Sequence, residues 1–248
     1  MEELHLIRRS FVDRPGFSTA VSRTILGRVA SGELPPTIRI HRPPRELAFG
    51  RQDLASPGYE EAAKAARAAG FPPVERLAGG RAAVFHEGTI AIARAYSDPQ
   101  PPKRTYSRFE EMSELIAESL RDLGVEALVG EVPGEYCPGA YSVNARGATK
   151  LVGIGQRMIR GGAHVGVVVV VSGGQRIAEV LEPVYRALEL DWNPATSGSV
   201  ADELGRDVQL DEVEEALIER LATKYELIDS DLDEQTMALA EERFARGS

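Results

Sequence analysis

Apolar positions recur along the chain with two periods, and each period names an element. Val21, Ile25 and Val29 stand four apart, so they share one face of a helix expected over 18–30, which Gly32 and Pro35-Pro36 close. Residues 37–41 alternate in the strand manner, and 45–50 reads as a second short strand. An Ala-rich helix is predicted over 60–69, stopped by Gly70. Short strands follow at 74–77 and 84–85 on either side of Gly79-Gly80, and 89–96 alternates Ile90 and Ile92 with small residues, which is sheet. Phe109, Met112, Leu115, Ile116, Leu120 and Leu123 form a helical stripe, with Ser107 as its cap and Glu110 at the capping-box spacing.

Beyond Gly124 the pattern predicts a short strand, further strands at 149–154 and 165–171, and a helix over 176–190. Asp211-Glu212 opens a helix in which Val213, Leu217, Leu221 and Tyr225 fall in register, and a polar helix runs to about Phe244. Residues 1–15 read as loose. Together these elements imply an α/β (α+β) fold, a mixed β-sheet flanked by helices. One catalytic domain is expected over 1–205, with a helical extension over 206–248 packed on it, because about 40 residues are too few for a core of their own.

Composition narrows the partners. A formal net charge of -9 gives a polyanion no reason to attract the chain as a whole, so nucleic acid and anionic membrane are not expected partners. The longest apolar run, Val165 to Val171, is interrupted by Gly166 and is far shorter than a membrane span; the N-terminus lacks an apolar signal stretch, and the expected location is the cytoplasm. A single cysteine excludes an internal disulfide framework, and four histidines without paired spacing predict no metal site.

The chemistry concentrates in 135–166. Cys137 precedes Pro138-Gly139, which places its thiol at a turn, and Arg146, Lys150, Arg157 and Arg160 make the neighbourhood cationic in sequence, a setting that favours a reactive thiolate. Gly153 and Gly155 allow another backbone or a ligand to come close. Gly79-Gly80, between Arg76 and His86, offers backbone N–H groups beside a cation, a combination that holds a carboxylate, a phosphate or a developing oxyanion. Plainer readings stand beside these: Cys137 as a small apolar residue, Lys150 as a solvated charge, Gly79-Gly80 as a hairpin turn, and His86 and His164 as structural histidines rather than bases for the thiol.

The motifs Tyr136-Cys137-Pro138-Gly139, Lys150-x-x-Gly153-x-x-Gln156-Arg157 and 79–88, with 35–42, 47–51 and 173–176, resemble the biotin/lipoate protein ligase superfamily over about 17–205. The Cys-Pro-Gly form is most similar to the cysteine-dependent octanoyltransferases and amidotransferases of lipoate assembly. That resemblance implies a thioester on Cys137, with Lys150 positioning the acyl carbonyl and Arg76, Gly79, Gly80, Arg81, His86, Gly153 and Gln156 binding substrate. It also implies no cofactor, an acyl carrier protein or octanoylated glycine-cleavage H-type protein as donor, and lipoyl domains as acceptors. Ligases of the superfamily carry a third glycine where this chain has Arg81. An ATP-dependent lipoate-protein ligase and a non-catalytic binder of lipoyl carriers are the alternatives.

Overall fold

The structure, a computed structural model, describes residues 1–247. In chain order the elements begin with β1 (Glu2–Ile7), α1 (Phe17–Ala30), β2 (Thr37–His41), β3 (Glu46–Phe49), α2 (Arg51–Leu54), α3 (Tyr59–Ala68), β4 (Pro73–Glu75), β5 (Ala83–Phe85) and β6 (Thr89–Ser97). There follow α4 (Thr105–Asp122), β7 (Ala127–Val129), β8 (Val143–Ala145), β9 (Thr149–Ile159), β10 (Gly162–Val170), α5 (Gly174–Ala187), α6 (Val200–Leu204), α7 (Leu210–Ala222), β11 (Tyr225–Ser230) and α8 (Glu234–Ala245). Eight strands form one sheet in the order β11-β1-β2-β6-β10-β9-β8-β7, and β4-β3-β5 form a small second sheet. Strand β1 pairs parallel with both β11 and β2; every other pairing in the large sheet is antiparallel.

Alternation along the central strands decides where the space lies. Ile38, Ile40, Ile90, Ile92, Val165, Val167 and Val169 pack on one face, against Met112, Leu115, Ile116 and Leu120 of α4 and Val213, Leu217 and Leu221 of α7. Each such side chain contributes about 1.5–3 kcal/mol on full burial. The opposite face carries Arg39, His41, Ala91, Ala93, Ala95, His164, Gly166 and Val168 at the intervening positions. Half of those are alanine or glycine. Only its outer part is filled, where Ala95 joins Phe17, Val21, Ile25 and Val29 of α1 and Ala240 of α8. The remainder is open, and β3, β4 and β5 arch past it, packed through Leu47, Phe49 and Val84 on Ala62 and Ala66 of α3 and Ile177, Leu181 and Val184 of α5.

Several local expectations are corrected by these long-range pairings. Residues 1–15 contain β1, whose Leu4 and Leu6 are core residues, although its partners β2 and β11 are remote in sequence. Tyr225 is not on the preceding helix, which stops at Ala222; it opens β11 opposite Glu2, so the segment 206–248 holds a strand as well as helices. Ser107 does not cap α4. That helix continues from a 3-10 turn over Pro101–Arg104, and the Ser107 hydroxyl donates to the Arg104 carbonyl inside the first turn. Strand β9 runs five residues past 154, because β10 pairs with it as far as Ile159, and α5 starts at Gly174 and ends at Ala187 rather than spanning 176–190. The short β8 carries no periodic signal of its own. Among the described residues no helix is long and apolar enough to cross a membrane.

Arg108 ties α4 to the sheet. Its guanidinium donates to Asp98 at 2.6 Å, to the Gln156 amide oxygen at 2.6 Å and to the Pro101 carbonyl at 2.5 Å, with both members of the ion pair buried. Replacing Asp98 by alanine strands a buried charge, so Asp98→Ala should cost about 3–5 kcal/mol and lower the melting temperature by roughly 10 °C. A calorimetric midpoint within about 2 °C of wild type would show that the pair is dispensable.

Candidate functional site

Cys137 occupies a turn held from three sides. Its φ of +44° lies in the left-handed region that non-glycine residues rarely adopt, at a cost of order 1–3 kcal/mol. Both of its backbone groups are engaged: the N–H donates to the Tyr185 hydroxyl at 2.9 Å, and the carbonyl accepts from Lys150 Nζ at 2.8 Å. Burial holds the Tyr185 phenol well above its ordinary pKa, so it keeps the proton it donates to the Ala82 carbonyl at 3.2 Å.

Lys150 and Glu135 form the support beneath this turn, each with its side chain no more than 1% exposed and 2.8 Å apart. An ammonium has three donors, and here all are engaged: on Glu135, on the Tyr136 carbonyl at 3.0 Å and on the Cys137 carbonyl. None remains for the sulfur. Glu135 also accepts from the Ser142 hydroxyl at 2.6 Å and from the N–H groups of Gly139 and Val132 at 3.1 and 3.0 Å. Removing one member of such a buried pair typically costs about 3–5 kcal/mol.

The groups that face the sulfur come from elsewhere. Arg81 donates its backbone N–H to Cys137 Sγ at 3.1 Å, and Arg76 Nη1 stands 3.7 Å away while also donating to the Arg81 carbonyl at 2.9 Å. The Arg81 guanidinium is anchored on the buried Asp53 at 3.2 Å, and Asp53 in turn accepts from Gly50 N–H at 2.9 Å. Of the cations adjacent in sequence, Arg146 pairs with Glu203 at 2.5 Å, while Arg157 borders a separate groove.

Glycines allow the 78–81 segment to lie this close. A Cβ on Gly50 would stand 1.7 Å from the Gly80 carbonyl oxygen, and one on Gly155 would stand 2.7 Å from that of Gly79. Gly80 itself has φ +112°, and a Cβ there would meet Cys137 Sγ at 2.8 Å. Gly79 is held by its N–H bond to the Gln156 carbonyl at 3.2 Å.

Thus the expected site residues divide. Cys137, Arg76, Gly79, Gly80 and Arg81 are brought together, with Lys150 directly beneath. Gln156 joins through its backbone alone, since its side chain serves Arg108 and the Thr105 carbonyl. Gly153 lies in ordinary contact with Val168, at 3.5 Å from where its Cβ would be. His86 sits on another wall, its Nδ1 accepting from Gly88 N–H at 3.0 Å and its ring against Gly173; burial pushes it down to about 4. Asp53, Tyr185, Glu135 and Gly155 escaped selection. Only Gly155, in the Gly153-x-Gly155 pair, carried a sequence signal.

Two clefts meet at this segment. One exposes Cys137, Gly80 and Arg81 beside Gln52 and Pro138. The other is the open face of the large sheet, lined by Ala91, Ala93, Gly166, Val168, Leu77 and Ala78, with Arg76 also in its lining. Polar groups stand among the apolar lining of the second. Burial pushes the Glu46 carboxyl up to about 7, against the pull of the Gly16 N–H it accepts. His41 is held well below its ordinary value by burial, Arg39 and His164, and His164 is pushed down to about 3 by burial, Arg39 and Arg76.

A family model for the lipoyl protein ligase A/B catalytic domain matches residues 14–222. The chain belongs to that family. It is 30% identical over 225 residues to an octanoyl-GcvH:protein N-octanoyltransferase of Bacillus velezensis, covering 90% of this chain and 73% of the relative. A relative of the same name from Geobacillus kaustophilus is 28% identical over 210 residues, covering 81% of this chain and 74% of its own. In fold, this chain resembles a bipartite lipoate protein ligase from Thermoplasma acidophilum, solved in work on its E2 lipoyl domain, with a TM-score of 0.77 at 20% identity over 99% of this chain and 93% of that one. The mixed sheet flanked by helices is the architecture of this family.

The close approaches make a graded test. Gly155→Ala should destabilise by about 1–3 kcal/mol, because its new methyl meets backbone, whereas Gly153→Ala should stay within about 0.5 kcal/mol of wild type. Chemical unfolding of both checks this, and equal losses would show that the loop does not depend on Gly155.

Glu46 generates a pH prediction. Its raised pKa stabilises the fold fully below the ordinary 4.5, and that contribution is lost as pH rises through about 7. Buried His41 and His164 act oppositely, losing stability as pH falls below the ordinary 6.5. Glu46→Gln should therefore gain stability relative to wild type between pH 4.5 and about 7. Denaturant unfolding across that window decides it; a constant difference would show that the carboxyl is not perturbed.

Proposed function

We propose that this chain is an acyltransferase that moves an octanoyl or lipoyl group from a carrier protein to a lysine of a lipoyl domain, through a thioester on Cys137. The observation that carries the reading is the placement of the Cys137 sulfur: it faces the Arg81 N–H and the Arg76 guanidinium, where the exposed cleft meets the apolar one. The names of the relatives supply the substrate class, with an octanoylated GcvH-type protein as donor. An acyl carrier protein is the alternative donor.

In the first half-reaction Cys137 Sγ attacks the acyl carbonyl. The carbon–nitrogen bond of a lysyl amide, or the carbon–sulfur bond of a carrier thioester, breaks, and the leaving group takes a proton. Sγ then carries the acyl group, whose chain lies in the cleft lined by Ala91, Ala93, Gly166 and Val168, sheltered from water. In the second half-reaction the ε-amine of an acceptor lysine attacks the thioester, the carbon–sulfur bond breaks, and an amide forms as the amine loses a proton. With a lysyl amide donor one proton is gained and one lost, so the cycle needs no net acid or base.

Arg76, beside Sγ and in the lining of the acyl cleft, is placed to meet the carbonyl oxygen as it gains charge. Lys150 is a positioning residue in this scheme, since its donors are spent on Glu135 and on the turn that aims Cys137. Gly79, Gly80 and Arg81 form the strap over the sulfur. His86, Gly153 and the Gln156 side chain act on the scaffold around it rather than on the acyl group.

Intact mass spectrometry tests the scheme. Wild type mixed with octanoylated GcvH and no nucleotide should gain one octanoyl mass, removable by hydroxylamine because thioesters are cleaved by it and lysine amides resist; Cys137→Ala should gain nothing. Pyrophosphate release that needs ATP and free acid, with no adduct on Cys137, would make the chain a ligase instead. Carrier binding without either product would make it a non-catalytic binder.

A further inference from the structure

Behind the segment that separates the two clefts lies a groove whose charge runs against that of the chain. Arg23, Arg51, Arg157 and Arg243 line it with a single acid, Glu75, and Leu77 lines both this groove and the acyl cleft. The whole sequence has 38 acidic and 29 basic residues, so a four-to-one excess of arginine is a local inversion. Glu75 reaches only Arg23, at 3.8 Å. Among the described residues Arg51, Arg157 and Arg243 form no ion pair, while the acids nearest Arg243 in sequence are engaged elsewhere, Glu241 with Arg14 at 2.6 Å and Glu242 with Arg246 at 3.3 Å. Three guanidinium groups therefore face solvent without a counter-charge in one concave place.

We propose that this groove docks the acidic surface of the donor carrier protein while its acylated arm enters the neighbouring cleft. The inference rests on the acyl-transfer reading above and adds which face of the enzyme the donor body occupies. An acyl group borne on a protein arm reaches Cys137 with a folded domain attached, and that domain has to lie outside the mouth. The groove adjoins the acyl cleft through Leu77, which lines both. Arg51 follows Gly50, which packs on Gly80, and Arg157 lies two residues beyond Gly155, which packs on Gly79, so the groove flanks the strap over the sulfur. Guanidinium groups recognise carboxylates through paired donors, and a locally positive mouth draws in an acidic partner that a net charge of -9 otherwise repels.

The test compares a protein donor with a small neutral one. In the double variant Arg157→Glu/Arg243→Glu, KM for octanoylated GcvH should rise roughly tenfold at low salt with kcat little changed. The wild-type KM should climb with ionic strength, and that of the variant should be nearly flat. Acylation of Cys137 by S-octanoyl-N-acetylcysteamine, which presents no acidic surface, should proceed equally in both proteins. An unchanged KM for the carrier overturns the proposal. So does an equal loss with both donors, which would mark damage to the site, or a loss confined to octanoyl-coenzyme A, which would mark a phosphate-binding groove. If the wild type takes no acyl group from the small donor, the thioester reading fails; calorimetric binding of GcvH to wild type and double variant then still decides the groove, a preserved affinity overturning it.

Discussion

The buried ion pair between Lys150 and Glu135 is the constraint on which the rest of the site depends. It joins β9 to the turn at 135–137, and it satisfies five further backbone and side-chain groups of that turn and its flank. Desolvating two charges is expensive, and the cost is met only because every donor of the ammonium and both oxygens of the carboxyl are occupied. The reward is geometric. With its carbonyl held by Lys150 and its N–H by Tyr185, Cys137 cannot relax out of a left-handed backbone, and its sulfur stays aimed at the Arg81 N–H.

The apolar cleft arises from an opposite device, the omission of bulk. On one face of β6 and β10 large aliphatic residues fill the core; on the other, Ala91, Ala93 and Gly166 leave a trough that α1 covers only in part. Side chains that are large there, Arg39, His41 and His164, are polar and buried, which is why burial and mutual repulsion depress both histidines. A hydrophobic sheet face and a polar-edged cavity are thus two sides of one alternating pattern.

Periodic segments were legible in the sequence because their burial is written locally: α1, α3, β2 and β6 fall within a residue or two of their expected bounds. Strands β1 and β11 were not, since each is short and gains its stability from a partner more than two hundred residues away. Charge was misread for the same reason. Arg146, close to Cys137 in sequence, pairs with Glu203 instead, and the arginine whose side chain reaches the sulfur, Arg76, stands 61 residues away along the chain.

By itself the sequence determined the central strands with their flanking helices, the Cys-Pro-Gly turn, and the presence of a glycine strap and a single lysine near it. Those are set by residue type and spacing, which act over a few positions. Only the tertiary structure decided what each polar group does. Lys150 serves the backbone of the turn because Glu135 is buried against it, Gln156 serves Arg108 because β9 passes under α4, and Gly155 matters because Gly79 crosses over it. Each of those outcomes follows from which elements the long-range strand pairings bring within hydrogen-bond reach, and no spacing along the chain encodes that distance.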